Sequence, residues 1–256
     1  MGLFDKKFCD VCGGKIGFLG NKKLEDGNLC RDCAKKLSPW FSERRHSTLA
    51  EIKEQLAYRE KNKTAVAAFH TTRTMGTGGT RLLLDEDARK FMVSSSNDPE
   101  EENPDVLDFS QVTGCSTDVQ EGRTELKRQG PDGKEVSYSP PRYRYTYDFY
   151  IVINVNTPYF DEIRFRLNQN SVEVYSESHG IFIKGSGEGP SSPEYQQYIR
   201  QGEEIRQALT KVREKVREEA AAAAAPKTAV TCPWCGATTT PDASGKCEYC
   251  GGAIKG

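Results

Sequence analysis

No stretch of this chain approaches the roughly 18 consecutive apolar residues that cross a bilayer. Its opening residues, Met1 to Phe8, hold no apolar core of a secretory signal. A membrane span and export are therefore not expected, and the expected compartment is the cytoplasm. A charge excess of one sign is missing too. Lys+Arg number 36 against 37 Asp+Glu, a formal net charge of −1, whereas a strongly basic nucleic-acid domain shows a large excess. Histidine occurs at His46, His70 and His179 alone, none of them in a metal or triad motif. The glycine-rich run from Thr74 to Thr80 lacks the closing Gly-Lys-Ser/Thr of a phosphate loop and precedes a strand pattern, so it reads as a hairpin turn. Apolar residues make up 36 % of 256 and mean hydropathy is −0.68. That allows one mid-sized core with small satellite modules.

What the chain does carry is cysteine in pairs. Cys9/Cys12 with Cys30/Cys33, and Cys232/Cys235 with Cys247/Cys250, are four pairs separated by two residues, two at each end. Each end thereby offers four soft thiolates, the ligand set of a closed tetrahedral structural zinc site. Two zinc ions are expected, one per set, with iron in a rubredoxin-like site as the chemical rival and disulfides as a further alternative. Pairs at metal spacing without a signal peptide fit a reducing compartment better than a disulfide framework. A closed set leaves no position for substrate, so the metal argues for a scaffold rather than hydrolysis. Below roughly 40 residues such modules lack core enough to fold alone, so metal rather than apolar burial is expected to hold each terminus.

The charge is unevenly spread: residues 1–63 are formally +5, residues 226–256 +1, and the stretch between −7. Four thiolates on one zinc contribute about −2 at each end, so the first module stays mildly basic at most.

Residues 1–45 read as a zinc module of the treble-clef kind. Gly13 and Gly14 follow Cys12 where the backbone turns tightly beneath a metal. A hairpin is expected from Ile16 to Leu24 through Gly20 and Asn21. Ala34 to Leu37 favour helix, which puts Cys30 and Cys33 at a helix start, where the macrodipole stabilises thiolate. Residues 46–63 read as a connecting helix, capped by Ser47 or Thr48, with Glu51 at the capping-box spacing from Thr48. Leu49, Ile52, Leu56 and Tyr58 form its stripe.

From 64 to 184 the period changes to that of strands. Candidates are 65–69, 81–84, 90–93, 106–109, 124–127, 142–156, Ile163 to Leu167, 172–175 and Ile181 to Ile183, an antiparallel sheet that closes or packs on itself. Cys115, the unpaired thiol, reads as a small strand hydrophobe rather than a nucleophile. The run Arg142 to Tyr147 could stack bases, though an ordinary half-exposed strand shows the same alternation. Lys22, Lys23, Arg44 and Arg45 read as solvated surface.

Residues 185–193 are a Gly/Ser/Pro linker. Residues 194–225 form the longest predicted helix, with Ser192 as cap and Pro193 in the first turn. Its seam is Tyr198, Gly202, Ile205, Leu209, Val212 and Val216, a surface through which the chain could self-associate, and its alanine tail is a semi-rigid spacer. Residues 226–256, with 11 residues between Cys235 and Cys247, form a zinc ribbon of two glycine-ended knuckles.

The run Phe8 to Leu37, with its Cys9, Cys12, Cys30 and Cys33, resembles an uncharacterised bacterial family, common in Gram-positive genera, whose short amino-terminal zinc-ribbon or treble-clef-like domain has no assigned function. The resemblance covers about the first 50 residues and implies that these four cysteines are metal ligands. The middle is similar to small barrels of the pleckstrin-homology type, which implies two antiparallel sheets closed by a carboxy-terminal helix. The fold expected is thus α+β and multidomain. The function expected is a non-enzymatic zinc-binding adaptor that meets a protein partner through its zinc modules and its β-barrel. Nucleic-acid binding through the zinc modules and the basic residues of 1–63 is the alternative, and lipid binding by the barrel a third.

Overall fold

The computed structural model describes residues 7–175, 190, 192–224, 229–242 and 244–254. The chain divides into two compact units, Met1–Arg213 and Glu214–Gly256.

The first unit begins with two short ladders. β1 (Lys7–Phe8) pairs with β2 (Lys15–Ile16), and β3 (Lys22–Lys23) pairs with β4 (Asn28–Leu29). The hairpin expected from Ile16 to Leu24 is therefore not formed. The Cys9–Gly14 turn folds β1 back onto β2, and the Leu24 N–H bonded to the Gly27 carbonyl at 2.9 Å folds β3 onto β4. Gly17 to Gly20 is left as the turn joining two different ladders. Helix α1 (Arg31–Lys35) starts where expected, with the Cys30 sulfur accepting the Cys33 N–H at 3.3 Å.

After a 3-10 turn (Glu43–His46) comes α2 (Leu49–Ala67). The capping box is present: Glu51 N–H donates to Thr48 Oγ1, and Thr48 N–H to Glu51 Oε2 at 2.7 Å. The helix outlasts its expected end at 63, and the strand expected over 65–69 is its last turn and exit. Val66 continues the buried stripe Ile52, Gln55, Arg59, Asn62 at helical spacing, and this overrides its β propensity. Nor is α2 merely a connector. Ile52 lies in one buried cluster with Ile16, Leu24, Leu29, Leu37, Cys9 and Cys33, flanked by Leu49 and Leu56. The far half of its buried stripe is polar. Arg59 Nη1 donates to Asp105 Oδ1 at 2.8 Å, both side chains being buried. Ser38 Oγ donates to Asp105 Oδ2 at 2.7 Å, and Asn62 Nδ2 donates to the Pro104 carbonyl at 2.7 Å. Val106 N–H donates to Asn62 Oδ1 at 3.0 Å. This latch fastens α2, the Ser38 loop and the 103–106 segment to each other.

The middle of the unit is two four-stranded antiparallel sheets. The first is β5 (Arg73–Met75), β6 (Arg81–Asp85), β7 (Lys90–Ser94) and β8 (Leu107–Asp108), in that order, with the short helix α3 (Pro99–Glu102) between β7 and β8. Thr74 to Thr80 spans the end of β5 and the loop to β6, the hairpin expected. In the second sheet β10 (Glu135–Val155) is central. β9 (Val112–Gln129) pairs along one side of it, and β11 (Glu162–Arg166) and β12 (Val172–Tyr175) pair along the other. Phe149, Ile151, Ile153 and Val155 bury one face of β10. Arg166 pairs with Asp148 on the opposite face, and Arg164 lies over the Tyr150 ring. A 3-10 turn (Phe109–Gln111) separates the sheets. No strand pairing joins them among the described residues, so the closed barrel expected over 64–184 is corrected to two open sheets. The strand expected at 181–183 and most of the 185–193 linker lie outside the described residues.

Helix α4 (Pro193–Ala224) opens with Ser192 Oγ accepting the Tyr195 N–H at 3.2 Å. Its expected seam packs on the chain's own second sheet from Tyr198 to Leu209. Tyr198 stacks on Phe149 at 5.2 Å between ring centres, Tyr195 meets Tyr147 and Phe149 edge-on, and Ile205, Ala208 and Leu209 are buried. Gly202 is required here: a Cβ would fall 2.4 Å from Thr117 Oγ1. Gly202→Val should therefore cost about 2 kcal/mol of stability, part of it recovered by adding Thr117→Ala. Urea unfolding of the single and double variants checks this.

In the second unit β13 (Val230–Thr231) pairs with β14 (Thr238–Thr239), and a bridge joins Lys246 to Ala253. Among its described residues only Cys232, Thr239 and Cys247 are buried. Among all described residues no helix is long and apolar enough to cross a membrane.

Candidate metal centres

Three of the four cysteine pairs fold by one rule. Cys9 N–H donates to the Gly14 carbonyl and Gly13 N–H to the Cys9 carbonyl, at 2.9 and 2.7 Å. The same two bonds recur at Cys232, from Cys232 N–H to Ala237 and from Gly236 N–H to Cys232, and again at Cys247 with Gly252 and Gly251. Each needs a residue at positive φ just after the second cysteine, and Gly13 (+70°), Gly236 (+72°) and Gly251 (+69°) supply it. The pair Cys30/Cys33 is the exception, because it is carried by the start of α1. One end thus faces a knuckle to a helix terminus, and the other faces two knuckles.

These turns gather Cys9, Cys12, Cys30 and Cys33 into one group and Cys232, Cys235, Cys247 and Cys250 into another, with the sulfurs of each group within 4.8 Å of one another. The close approaches are Cys12 to Cys30 at 3.8 Å, Cys232 to Cys250 at 3.6 Å and Cys235 to Cys247 at 3.7 Å. Metal–sulfur bonds of about 2.3 Å in a tetrahedron put the sulfurs about 3.8 Å apart. A disulfide would need about 2.05 Å, and all nine cysteines are free. The donor sets fit a tetrahedral ion. Among the described residues these are the two groups of three or more His, Cys, Asp or Glu that could hold a metal.

The electrostatics agree. Burial acts to push the Cys9 thiol up, but the N–H groups of Cys12, Cys30 and Val11 outweigh it and bring it down to about 6. Cys232 comes down to about 7 in the same way, through the N–H groups of Cys235 and Trp234. Cys33 is pushed well up by burial and then by the neighbouring sulfurs. Cys250, although the Gly252 N–H favours its thiolate, rises to about 12 because Cys235, burial, Cys232 and Cys247 all oppose the charge. Cys9 and Cys232 thus form thiolates readily, and a bound cation would offset the crowding of sulfurs that opposes charge at Cys33 and Cys250.

The remaining candidates stay apart from these centres. Cys115 lies in β9 opposite Ile153, on the face that α4 covers. Burial pushes its thiol up to about 11, outweighing the nearby Arg206 cation. At pH 8 the zinc-loaded chain should therefore alkylate at Cys115 about a hundredfold more slowly than at an ordinary exposed thiol; mass-spectrometric timing of iodoacetamide adducts measures this. His46 ends the 3-10 turn, His70 is exposed, and His179 lies outside the described residues. In the Arg142 to Tyr147 run the cations are engaged: Arg142 lies over the Tyr138 ring at 4.4 Å, Arg144 pairs with Glu173 at 3.5 Å, and Arg123 covers Tyr143 at 3.7 Å. Sequence reasoning missed the Arg59–Asp105 latch, which joins residues 46 positions apart. It also missed the exposed Phe18-Leu19 pair, whose signal was a glycine on each side.

The model of a family described as a domain of unknown function, DUF4428, matches residues 7–55. Neither the curated proteins nor the solved structures contain a significant match to the chain.

Proposed function

We propose that this protein is a non-enzymatic zinc-binding adaptor that takes up a protein partner through its β domain. One zinc ion would be held by Cys9, Cys12, Cys30 and Cys33 in a treble-clef-like module, and another by Cys232, Cys235, Cys247 and Cys250 in a zinc ribbon. The observation that carries this reading is the closure of both ligand sets. Four thiolates complete a tetrahedron and leave no coordination position for water or substrate, so each ion serves folding rather than chemistry. Cys115, with its raised pKa, is a poor nucleophile at neutral pH.

The partner surface we favour is the outer edge of β9. This strand is 18 residues long and pairs with β10 alone among the described residues. Near its start, Arg213 Nη1 donates to the Thr113 carbonyl at 2.7 Å. A long edge of unpaired N–H and C=O groups is a template for an added strand. Two four-stranded sheets followed by a helix packed on the second support a pleckstrin-homology-like reading of the middle. That likeness is one of architecture and transfers no ligand.

Capture from the source cell on the immobilised zinc-loaded chain tests the adaptor. The expected result is one protein retained equally at low and high salt. Salt-sensitive retention on heparin or oligonucleotide, lost when Lys22, Lys23, Arg44 and Arg45 are changed to Glu, would assign nucleic acid instead.

A further inference from the structure

The turn between the two ladders of the first module presents its largest apolar side chains to water. Phe18 is 90 % exposed and Leu19 80 %, and Phe8, on the strand paired with β2, is 53 % exposed. None of the three belongs to the module's apolar cluster. The turn is nonetheless fixed: Gly20 N–H donates to the Gly17 carbonyl at 3.0 Å, and the ladder leading into it grows out of the first cysteine knuckle. Leu19 holds φ at +63°, a left-handed conformation that a leucine adopts only when its surroundings enforce it. Nothing in the packing of the module's described residues requires these side chains, and a strained, exposed apolar tip points to a partner outside the chain.

The charge around the tip narrows what that partner is. Lys7 and Lys15 lie on β1 and β2, and Lys22 and Lys23 on β3. Arg44 Nη1 donates to the Lys23 carbonyl at 2.8 Å, which brings the Arg44-Arg45 turn beside β3. Several cations elsewhere are matched, as in the Arg59–Asp105, Lys90–Asp108, Arg164–Asp118 and Arg206–Glu203 pairs. Among the described residues no carboxylate pairs with these four lysines. Two nearby acids are engaged by backbone: Asp10 accepts the Asn28 N–H and Asp26 the Leu49 N–H. Glu25, Asp32 and Glu43 are further exposed acids of the module, and among the described residues none of them pairs with a lysine of the two ladders. A convex apolar tip with cations on both flanking ladders needs a surface that is broad, negative and penetrable. A bilayer interface meets that without shape complementarity.

We infer that the Gly17–Gly20 turn docks on an anionic phospholipid bilayer, Phe18 and Leu19 entering the interface while Lys7, Lys15, Lys22 and Lys23 meet lipid phosphates. This adds a membrane-surface contact to the adaptor.

The test is co-sedimentation of the full zinc-loaded chain with phosphatidylcholine vesicles, with and without phosphatidylserine. Binding is expected only with phosphatidylserine. It should fall at least about tenfold in Phe18→Ser/Leu19→Ser, which leaves charge unchanged, and about a hundredfold in Lys15→Gln/Lys22→Gln/Lys23→Gln. Both variants alter exposed side chains, and an unchanged metal content certifies their fold. Failure of the parent chain to bind, or binding that ignores the serine pair, would overturn the inference. So would an acidic protein captured by the parent and lost with the same serine pair, which would give the tip to a protein groove.

Discussion

Replacing Cys247 with serine should release one of two metal ions per chain and unfold residues 229–254 together, while residues 7–175 keep their structure. The expectation follows from what that module buries. Apart from Thr239, its buried side chains among the described residues are Cys232 and Cys247, both of them candidate ligands. A chain segment this short cannot offset its ordering entropy without apolar burial. A structural zinc ion contributes on the order of 10–16 kcal/mol in comparable peptides, so losing one thiolate removes essentially all that opposes unfolding. Amide NMR spectra beside elemental analysis would show the collapse as one set of peaks vanishing with one ion. The first module should respond more mildly to Cys33→Ser. It adds Ile16, Leu24, Leu29, Leu37 and Ile52 to its ligands, each contributing about 1.5–3 kcal/mol on burial. The expectation that metal alone holds both termini is thus kept as a proposal for the second unit only, because the first module has an apolar core beside its candidate ligands.

Asp105→Ala is the second large effect, and it does not involve the metals. The Asp105 side chain is fully buried and takes hydrogen bonds from Arg59 and Ser38. Removing it leaves the Arg59 guanidinium buried, with the Asn103 and Lys36 carbonyls as its acceptors among the described residues. Breaking one side of such a pair costs about 3–5 kcal/mol, whereas replacing both partners by apolar residues of similar size is often nearly neutral. Arg59→Met/Asp105→Leu should therefore recover most of the loss. Urea midpoints at unchanged m-value, with metal content constant across the series, measure it.

The sequence made the local features legible because each depends on a few neighbouring residues. Cys-x-x-Cys followed by glycine predicts the knuckle, Thr48 with Glu51 the capping box, Ser192 with Pro193 the start of α4, and Ala34 to Leu37 the helix that carries Cys30 and Cys33. What stayed hidden depends on distant partners. Val66 looks like a strand residue until the buried stripe of α2 is seen to continue through it. The pairing of β2 with β1 rather than β3 is imposed by the cysteine turn, which the apolar pattern does not encode. Asp105 is one of 37 acidic residues, and nothing near it in the chain announces Arg59 or Ser38. Whether the long β strands close into a barrel depends on pairing between strands far apart in sequence, and periodicity carries no such information.

By this account metal–thiolate bonds create the fold of residues 229–254 in the second unit. The most direct test is elemental analysis of the purified chain, followed by spectra of residues 229–254 before and after a strong chelator. Two tightly held zinc ions per chain, and loss of that unit's structure on chelation, are the predicted result. Fewer than two ions, or a second unit that keeps its fold without metal, would contradict it.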